Sequence, residues 1–582
     1  MKLGFNRIGP SDAQAELLSR LGHDAIAIGD DASGASGCDI VFLAGRTAPE
    51  IRDEVFGSDG LAARLTRGTV LVDRSDSDPG AARTLSRAVD DAGLGLVEAP
   101  VSGHYTHEAG LAPVTFLAGA AQAREVVRPL LPGAVLDCGA AGNGHATNLF
   151  NATMGLTAYL ASLEVAAMGA KFGLSLDAMA EVISKGSGRN RASTIAMPRM
   201  MAGDPATDMS LARALGLIEL TTAAARAGGV PMVLPNIACG LLQAAVNRYG
   251  PGASLERAVD LVESMSGARL HGQRSTPSVH ATGDASDLKV GYLGVGTMGG
   301  ALARRLMLSR PVMVHDVNPR FVEALGGEGA TAAPDAATLA RDCDVVMICV
   351  PTSAIVRQAI FGPGGLAEGL SPGKIVIDQT TGSPSETRAI ARDLGRIGVE
   401  MIDAPVSGGT RGAVAGTIAI IGGGPREVFA RVRPILEQLS PNIVYCGDIG
   451  NGHAAKLVQN ATAACNRVMT LECAAAAVRS GLRLDSLVNP IEAGAGWNGG
   501  AARILPALRE GQPTTDFAMG LMVKDLRLAM DIGNELSAPM LIANAARALM
   551  QTCANEEGAD ANLDAIARTV ETMSGLVFSE SG

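Results

Sequence analysis

The chain has 582 residues, is 47% hydrophobic but only 3% aromatic, and carries 72 glycines and a formal charge of −11. At about 150 residues per domain this length allows roughly four domains. The acidic balance argues against nucleic acid or an anionic membrane as partner, since both need a basic face. No apolar run approaches the roughly 18 residues that would span a bilayer, and the start, Met1 to Arg7, lacks the apolar centre of a signal peptide. Nine cysteines are scattered without a C-x-x-C pair or metal-ligand spacing. These features predict a soluble protein of a reducing compartment, the cytoplasm.

In chain order, short apolar runs near 2–6, 25–29, 39–44 and 69–73 read as buried strands. Helical texture, rich in Ala, Leu and Met, takes over from about residue 144. Residues 268–287 are polar, rich in Gly, Ser and Thr and aperiodic, which predicts a linker. Strand runs return at 288–293, 311–315, 344–350 and 374–378, with a helical rhythm from Ala301 to Leu308, and helical texture resumes from about 450. Strands alternating with helices predict a parallel, doubly wound sheet, followed each time by an all-helical half.

The same words recur in both halves. Ala-Pro-Val-Ser-Gly stands at 99–103 and 404–408, Gly-Asn-Gly-His-Ala at 142–146 and 450–454, and Val262–Gly267 resembles Val570–Gly575. The chain is therefore read as a tandem duplication. The expected division is 1–141 (a degenerate Rossmann-type domain), 142–267 (all-helical), 268–287 (linker), 288–447 (a nucleotide-binding Rossmann domain) and 448–582 (all-helical). The second copy carries Lys456, whereas counting from either flank puts Asn148 or Thr147 opposite it.

Gly294-Val295-Gly296-Thr297-Met298-Gly299 lies between an expected strand and an expected helix, and Asp316 closes the next strand 17 positions after Gly299. In that context the motif predicts a dinucleotide site. Gly294 permits the turn, Gly296 lets the backbone approach a pyrophosphate, and Gly299 lets helix and strand pack closely. Asp316 would accept from ribose hydroxyls and repel a 2′-phosphate, favouring NAD over NADP. In the first copy Arg7, Gly9 and Asp12 stand opposite the three glycines and only Asp30 survives, so weak binding or none is expected there.

The second copy resembles the β-hydroxyacid dehydrogenase family, which includes 3-hydroxyisobutyrate dehydrogenase and tartronate semialdehyde reductase. The resemblance rests on Gly291–Gly299, Asp403–Gly409, Gly452–Asn460 and Lys524-Asp525-Leu526, in the family's order. The first copy resembles it more weakly along its whole length. The resemblance implies a cleft between a Rossmann and a helical domain, with Lys456 as acid/base. Ser407, Gly408 and Gly409 would hold the substrate carboxylate, and Asn460 would bind substrate beside the lysine. Lys524 would line the cleft, and Val350, Pro351 and Thr381 would edge the nicotinamide. It also implies pairing of helical domains, here as an intramolecular pseudo-dimer open to further homo-oligomerisation.

The residue chemistry agrees with these roles. Lys456 and Asn460 are four apart and share a helix face, and burial draws an ammonium toward neutrality, where it can exchange a proton with a substrate oxygen. In the first copy Gly216 and Leu217 replace Lys524 and Asp525, and His104 replaces Gly409, although Ser102-Gly103 persist. His104, Tyr105, Thr106, His107 and Glu108 read as a polar loop rather than a metal site, having no third ligand at a recognisable spacing. His145 and His453 suit a capping or orienting role at a helix start rather than catalysis. Trp497 suits either a pocket wall or the core, and Thr410 and Arg411 carry no readable substrate code. The expected activity is NAD-dependent interconversion of a small 3-hydroxy (or 2-hydroxy) acid and its aldehyde or ketone, beside a non-catalytic first copy. The alternatives are a regulatory metabolite-binding pseudoenzyme and an imine-reductase-like enzyme, the latter disfavoured by Lys456.

Overall fold

The computed structural model describes residues 1–6, 18–19, 21–29, 34–43, 47–102, 113–272, 276–282 and 285–580. Arg7, Gly9, Asp12, Asp30, Gly103 and the His104–Glu108 stretch lie outside them.

In the second copy six parallel strands form one sheet. The order is Thr331–Ala332, Val312–His315, Val290–Leu293, Val345–Ile348, Ile375–Asp378, Glu400–Asp403. In sequence terms this is 3-2-1-4-5-6, so the chain reverses direction beside Val290–Leu293 and opens a crevice at the strands' carboxyl ends. The expected strands here fall within one or two residues of those observed. The short ones that follow, Val406–Ser407, Ala419–Gly422 and Ile443–Tyr445, form a separate three-stranded sheet that the sequence reading did not anticipate. In the first copy the matching strands, Val101–Ser102, Val114–Gly119 and Ala134–Gly139, instead extend the main sheet to eight strands through Val97–Gly119 and Glu98–Ala118 pairing.

Each sheet hands over to one long helix, Asn143–Phe172 in the first copy and Asn451–Arg479 in the second. Both are buried nearly all round, because Ala, Gly and small polar residues let neighbouring helices approach from every side. The two helices pack on each other, and the buried apolar residues of both helical halves form a single continuous core, from Ala146 to Phe578. Two carboxylates stitch the halves reciprocally. Glu164 of the first copy accepts from Leu541 and Ile542 N–H at 3.1 and 3.0 Å, capping a helix of the second. Glu472 accepts from Val233 and Leu234 N–H at 2.5 and 3.1 Å, capping the equivalent helix of the first. These four contacts share one offset between copies, 308 residues (472 − 164 and 541 − 233), so Asn148, not Thr147, is the counterpart of Lys456.

The described residues of the connecting stretch are polar and irregular, and they are anchored to both copies. Thr276 N–H donates to Asp177 at 2.9 Å, Val279 is buried, and Arg426 donates to the carbonyls of Pro277 and Ser278 at 3.2 and 2.6 Å. Ala268 and Leu270 join the shared helical core, Val279 and Ala285 join the core of the second copy's sheet domain, and several backbone groups of the stretch find charged partners.

Candidate functional site

At the crevice of the second copy, Gly294 adopts a φ of +83°, and a Cβ there would lie 2.4 Å from the Cys349 carbonyl. A Cβ on Gly299 would lie 1.9 Å from the Gly294 carbonyl, so strand, turn and helix can close only on hydrogen atoms. Gly296 differs: a Cβ there would meet nothing nearer than the Phe321 ring at 3.8 Å, which leaves this backbone open to approach. The helix Thr297–Met307 begins at Gly296 with no side chain capping it. Val295 and Met298 point into the core while Thr297 is exposed. Asp316 sits at the end of the adjacent strand, accepting from Val295 N–H and Asn318 N–H at 2.8 Å each. Uncapped N–H groups, an open glycine backbone and a carboxylate at the strand end fit a dinucleotide's pyrophosphate and ribose.

A buried carboxylate couples this sheet to the helix that bears the lysine. Asp403 accepts from Gly450 N–H and His453 N–H, each at 2.7 Å, and so fixes the start of the Asn451–Arg479 helix against the strand end. Burial raises Asp403 to about 7. His453 is fully buried, bonded through Nδ1 to Thr387 Oγ1 at 2.8 Å and lowered to about 3 by desolvation. A neutral ring facing the sheet is an orienting element.

Lys456 emerges one turn further on. It is only 7% exposed, and Nζ donates to Gln459 Oε1 at 3.1 Å. Desolvation lowers it to about 8, with Asp525 opposing the shift and Lys524 reinforcing it. Ser407 Oγ donates to the same Gln459 oxygen at 3.0 Å. After it, Gly408 and Gly409 take φ values of +133° and +67°, which favour glycine at both positions. Asn460, buried, donates to Asp525 at 2.6 Å, and Asp525 pairs with Lys524 at 3.1 Å.

Lys524 is not a surface charge. Its ammonium donates to the carbonyls of Pro351 and Thr381 at 3.1 and 2.5 Å, bridging from the helical half to the carboxyl ends of two strands. Val350 is fixed in the same loop by its N–H donating to Thr380 Oγ1 at 3.3 Å. The structure thus brings Lys456, Asn460, Ser407 and Lys524 to one cleft beside Val350, Pro351 and Thr381. Gln459, which links the lysine to Ser407, was not singled out in the sequence. Its position three residues after Lys456 in a helix was the available signal.

Trp497 stands elsewhere. Its ring lies under the guanidinium groups of Arg189 and Arg191 of the first copy, at 5.9 and 4.9 Å, and the neighbouring Gly496 N–H donates to Asn151 of that copy at 2.8 Å. Arg411 is exposed. Among the described residues Asp260, Glu263 and His271 come close enough together to suggest a metal site, but Arg257 already neutralises Asp260 at 2.7 Å.

Two family descriptions each match the chain twice. The NAD binding domain of 6-phosphogluconate dehydrogenase matches residues 6–142 and 289–447. The NAD-binding domain of NADP-dependent 3-hydroxyisobutyrate dehydrogenase matches 142–262 and 450–570. The chain is 32% identical to 2-(hydroxymethyl)glutarate dehydrogenase of Eubacterium barkeri, over 44% of this chain and 85% of that protein. It is 31% identical to mitochondrial 3-hydroxyisobutyrate dehydrogenase of Bos taurus, over 48% of this chain and 88% of that one. Among solved structures, Mycobacterium tuberculosis 3-hydroxyisobutyrate dehydrogenase with L-serine aligns at 29% identity and a TM-score of 0.46, covering 49% of this chain and 99% of that chain. Among the described residues no helix is long and apolar enough to cross a membrane. The two family descriptions, each matching both halves of the chain, and the relatives matched over 85 and 88% of their length establish that it belongs to the β-hydroxyacid dehydrogenase family, as a tandem duplication of its NAD(P)-dependent, hydroxy-acid-oxidising unit.

Proposed function

We propose that the second copy alone interconverts a small 3-hydroxy (or 2-hydroxy) acid and its aldehyde or ketone with NAD, and that Lys456 is its acid/base. The observation that carries this reading is the buried Lys456 ammonium, drawn down to about 8 in a cleft that also holds Ser407, Asn460 and Lys524. A group poised there exchanges protons near neutral pH, as general acid–base catalysis requires. When bound, NAD supplies the hydride acceptor for oxidation, and in its reduced form the donor for reduction.

In the oxidative direction neutral Lys456 takes the substrate hydroxyl proton at Nζ while the carbon gives up its hydride, leaving a carbonyl. In reverse the ammonium returns that proton to the carbonyl oxygen. Ser407 Oγ and the backbone of Gly408 and Gly409 receive the substrate carboxylate, and Asn460 holds the reacting oxygen side beside Lys456. Lys524, tied to Pro351 and Thr381 carbonyls, sets the width of the cleft on the nicotinamide side. Gly294 to Gly299 hold the pyrophosphate, and Asp316 selects a ribose without a 2′-phosphate. The first copy is non-catalytic and serves as the fixed partner of a pseudo-dimer, through the shared core and the reciprocal Glu164 and Glu472 caps.

The test is Lys456→Ala. Turnover with a panel of 3-hydroxyisobutyrate, glycerate and threonate should fall by at least about 100-fold, while NADH binding by fluorescence stays at the wild-type level. Undiminished turnover would end the assignment.

A further inference from the structure

The side chain that aims Lys456 is itself held from the other copy. Gln459 Nε2 donates to Ser187 Oγ at 2.6 Å across a sequence separation of 272 residues. Ser187 belongs to the turn that follows the Leu176–Lys185 helix of the first copy. The turn lies flat on the lysine-bearing helix: a Cβ on Gly186 would sit 2.8 Å from Gln459 Cγ, and one on Gly188 would sit 2.7 Å from the Gln459 carbonyl. Asn466 of the second copy pins it by donating to the Gly188 carbonyl at 2.8 Å.

With Nε2 committed to Ser187, the other end of the amide, Oε1, faces Lys456 Nζ and Ser407 Oγ at 3.1 and 3.0 Å and accepts from both. A flipped amide would put two N–H donors against an ammonium, which is repulsive. The ammonium thus sets which end of the amide it meets, and Ser187, by accepting from the opposite end, holds Gln459 in place with Oε1 aimed at the lysine.

The reciprocal turn supplies an internal control. Residues 494–498 of the second copy press on Asn151, the counterpart of Gln459, just as closely: a Cβ on Gly494 would lie 2.4 Å from Asn151 Oδ1. There the position of Ser187 is taken by Ala495, and from the opposite copy only backbone groups hold the Asn151 amide, which donates to the Pro490 carbonyl at 2.5 Å and accepts from Gly496 N–H at 2.8 Å, while Ser102 Oγ of its own copy donates to Asn151 Oδ1 at 3.3 Å. The turn with a hydroxyl faces the cleft with the lysine, and the turn without one faces the cleft that has lost it.

We propose that Ser187 of the first copy is a positioning residue for the reaction of the second, acting through Gln459 on Lys456 and Ser407. This rests on the reading of Lys456 as acid/base. The first copy then completes the working cleft with a side chain, in addition to packing against it. The charged groups around Lys456 are Asp525 and Lys524, neither of which Ser187 touches, so a change at Ser187 reaches the lysine only through the amide.

The experiment is the pH profile of kcat/KM for hydroxy-acid oxidation in the full-length chain for Ser187→Ala, Ser187→Thr, Gln459→Leu and Lys456→Ala. Gln459→Leu removes an acceptor from the ammonium and should lower the apparent pKa by about one pH unit and kcat by about tenfold. Ser187→Ala should shift both in the same direction by a smaller amount, and Ser187→Thr, which keeps the hydroxyl, should restore them. A wild-type profile and kcat in Ser187→Ala, with Lys456→Ala inactive, would overturn the relay alone. An active Lys456→Ala would overturn the acid/base reading itself.

Discussion

The two clefts of this chain are built on one plan and end in opposite electrostatics. In the second copy Lys456 is buried with Asp525 and Lys524 as its charged neighbours, and Lys524 reaches over to the Pro351 and Thr381 carbonyls. In the first copy the position of Thr381 is Asp76, that of Lys456 is Asn148, and that of Lys524 is Gly216. Arg213, one helical turn before Gly216, donates to Asp76 at 2.8 Å, and Asn148 donates to the same carboxylate at 3.2 Å. Where one copy leaves a lysine desolvated and available, the other closes the gap with an ion pair and an amide. A carboxylate in that place would also repel the carboxylate of a hydroxy acid. The duplicated fold tolerates either filling because its rigid parts lie behind the cleft, in the long helices and their capping carboxylates.

The same divergence runs one layer deeper. Asp73 and Asp378 occupy equivalent strand ends, and His145 and His453 equivalent helix starts. In the first copy His145 Nε2 sits 3.1 Å from Asp73, and although burial opposes its charge, Asp73 and Glu98 raise it to about 9. In the second copy Nε2 stands 3.9 Å from Asp378, Thr387 Oγ1 pairs with the other ring nitrogen, Nδ1, and burial keeps the ring neutral. Ala82 stands in the place of Thr387 in the first copy, leaving His145 Nδ1 without that hydroxyl, so the ring is held through Nε2 and the buried ion pair instead.

These contrasts can be broken one at a time. The largest effect belongs to Lys456→Ala, at least about 100-fold in kcat, and adding Asn148→Lys to that variant should restore nothing, because Asp76 and Arg213 still occupy the first cleft. Recovered turnover in the double variant would show the clefts to be interchangeable. Next, Asp73→Asn leaves a buried histidine without its counter-ion and should cost about 3–5 kcal/mol in denaturant unfolding. Asp378→Asn should cost clearly less, because its histidine is already neutral. Glu164→Ala and Glu472→Ala each remove a helix cap and should cost similar amounts, about 1–2 kcal/mol, a near-equality that tests the reciprocity of the two halves.

The pH dependence is a finer probe. Oxidation needs neutral Lys456, whose folded pKa is depressed to about 8, so kcat/KM for oxidation should rise as pH passes upward through about 8 and that for carbonyl reduction should fall. The smallest effect is expected from Arg213→Ala, where the ion pair is half exposed on the arginine side; thermal unfolding should register about 1 kcal/mol or less, with turnover unchanged.

Much of this comparison could be read from residues alone. The glycine turn between strand and helix, Asp316, the Lys456–Asn460 spacing and the missing lysines of the first copy are local patterns, and each names its own chemistry. The main strands were legible because buried parallel strands are unbroken apolar runs. Val406–Ser407 and Ile443–Tyr445 were not, being only two and three residues long, too short to show a period. Least legible were contacts between the copies. Nothing local marks Ser187 as a partner of Gln459, 272 residues away, or separates Trp497 as a wall of the working cleft from its observed place beneath Arg189 and Arg191. Such facts arise only when two helical halves share one core.

On the proposed reading each chain holds one working cleft. Equilibrium titration of the 582-residue protein with NADH, followed by calorimetry, tests it most directly. A stoichiometry of one NADH per chain is the predicted result, and two sites of comparable affinity per chain would contradict it.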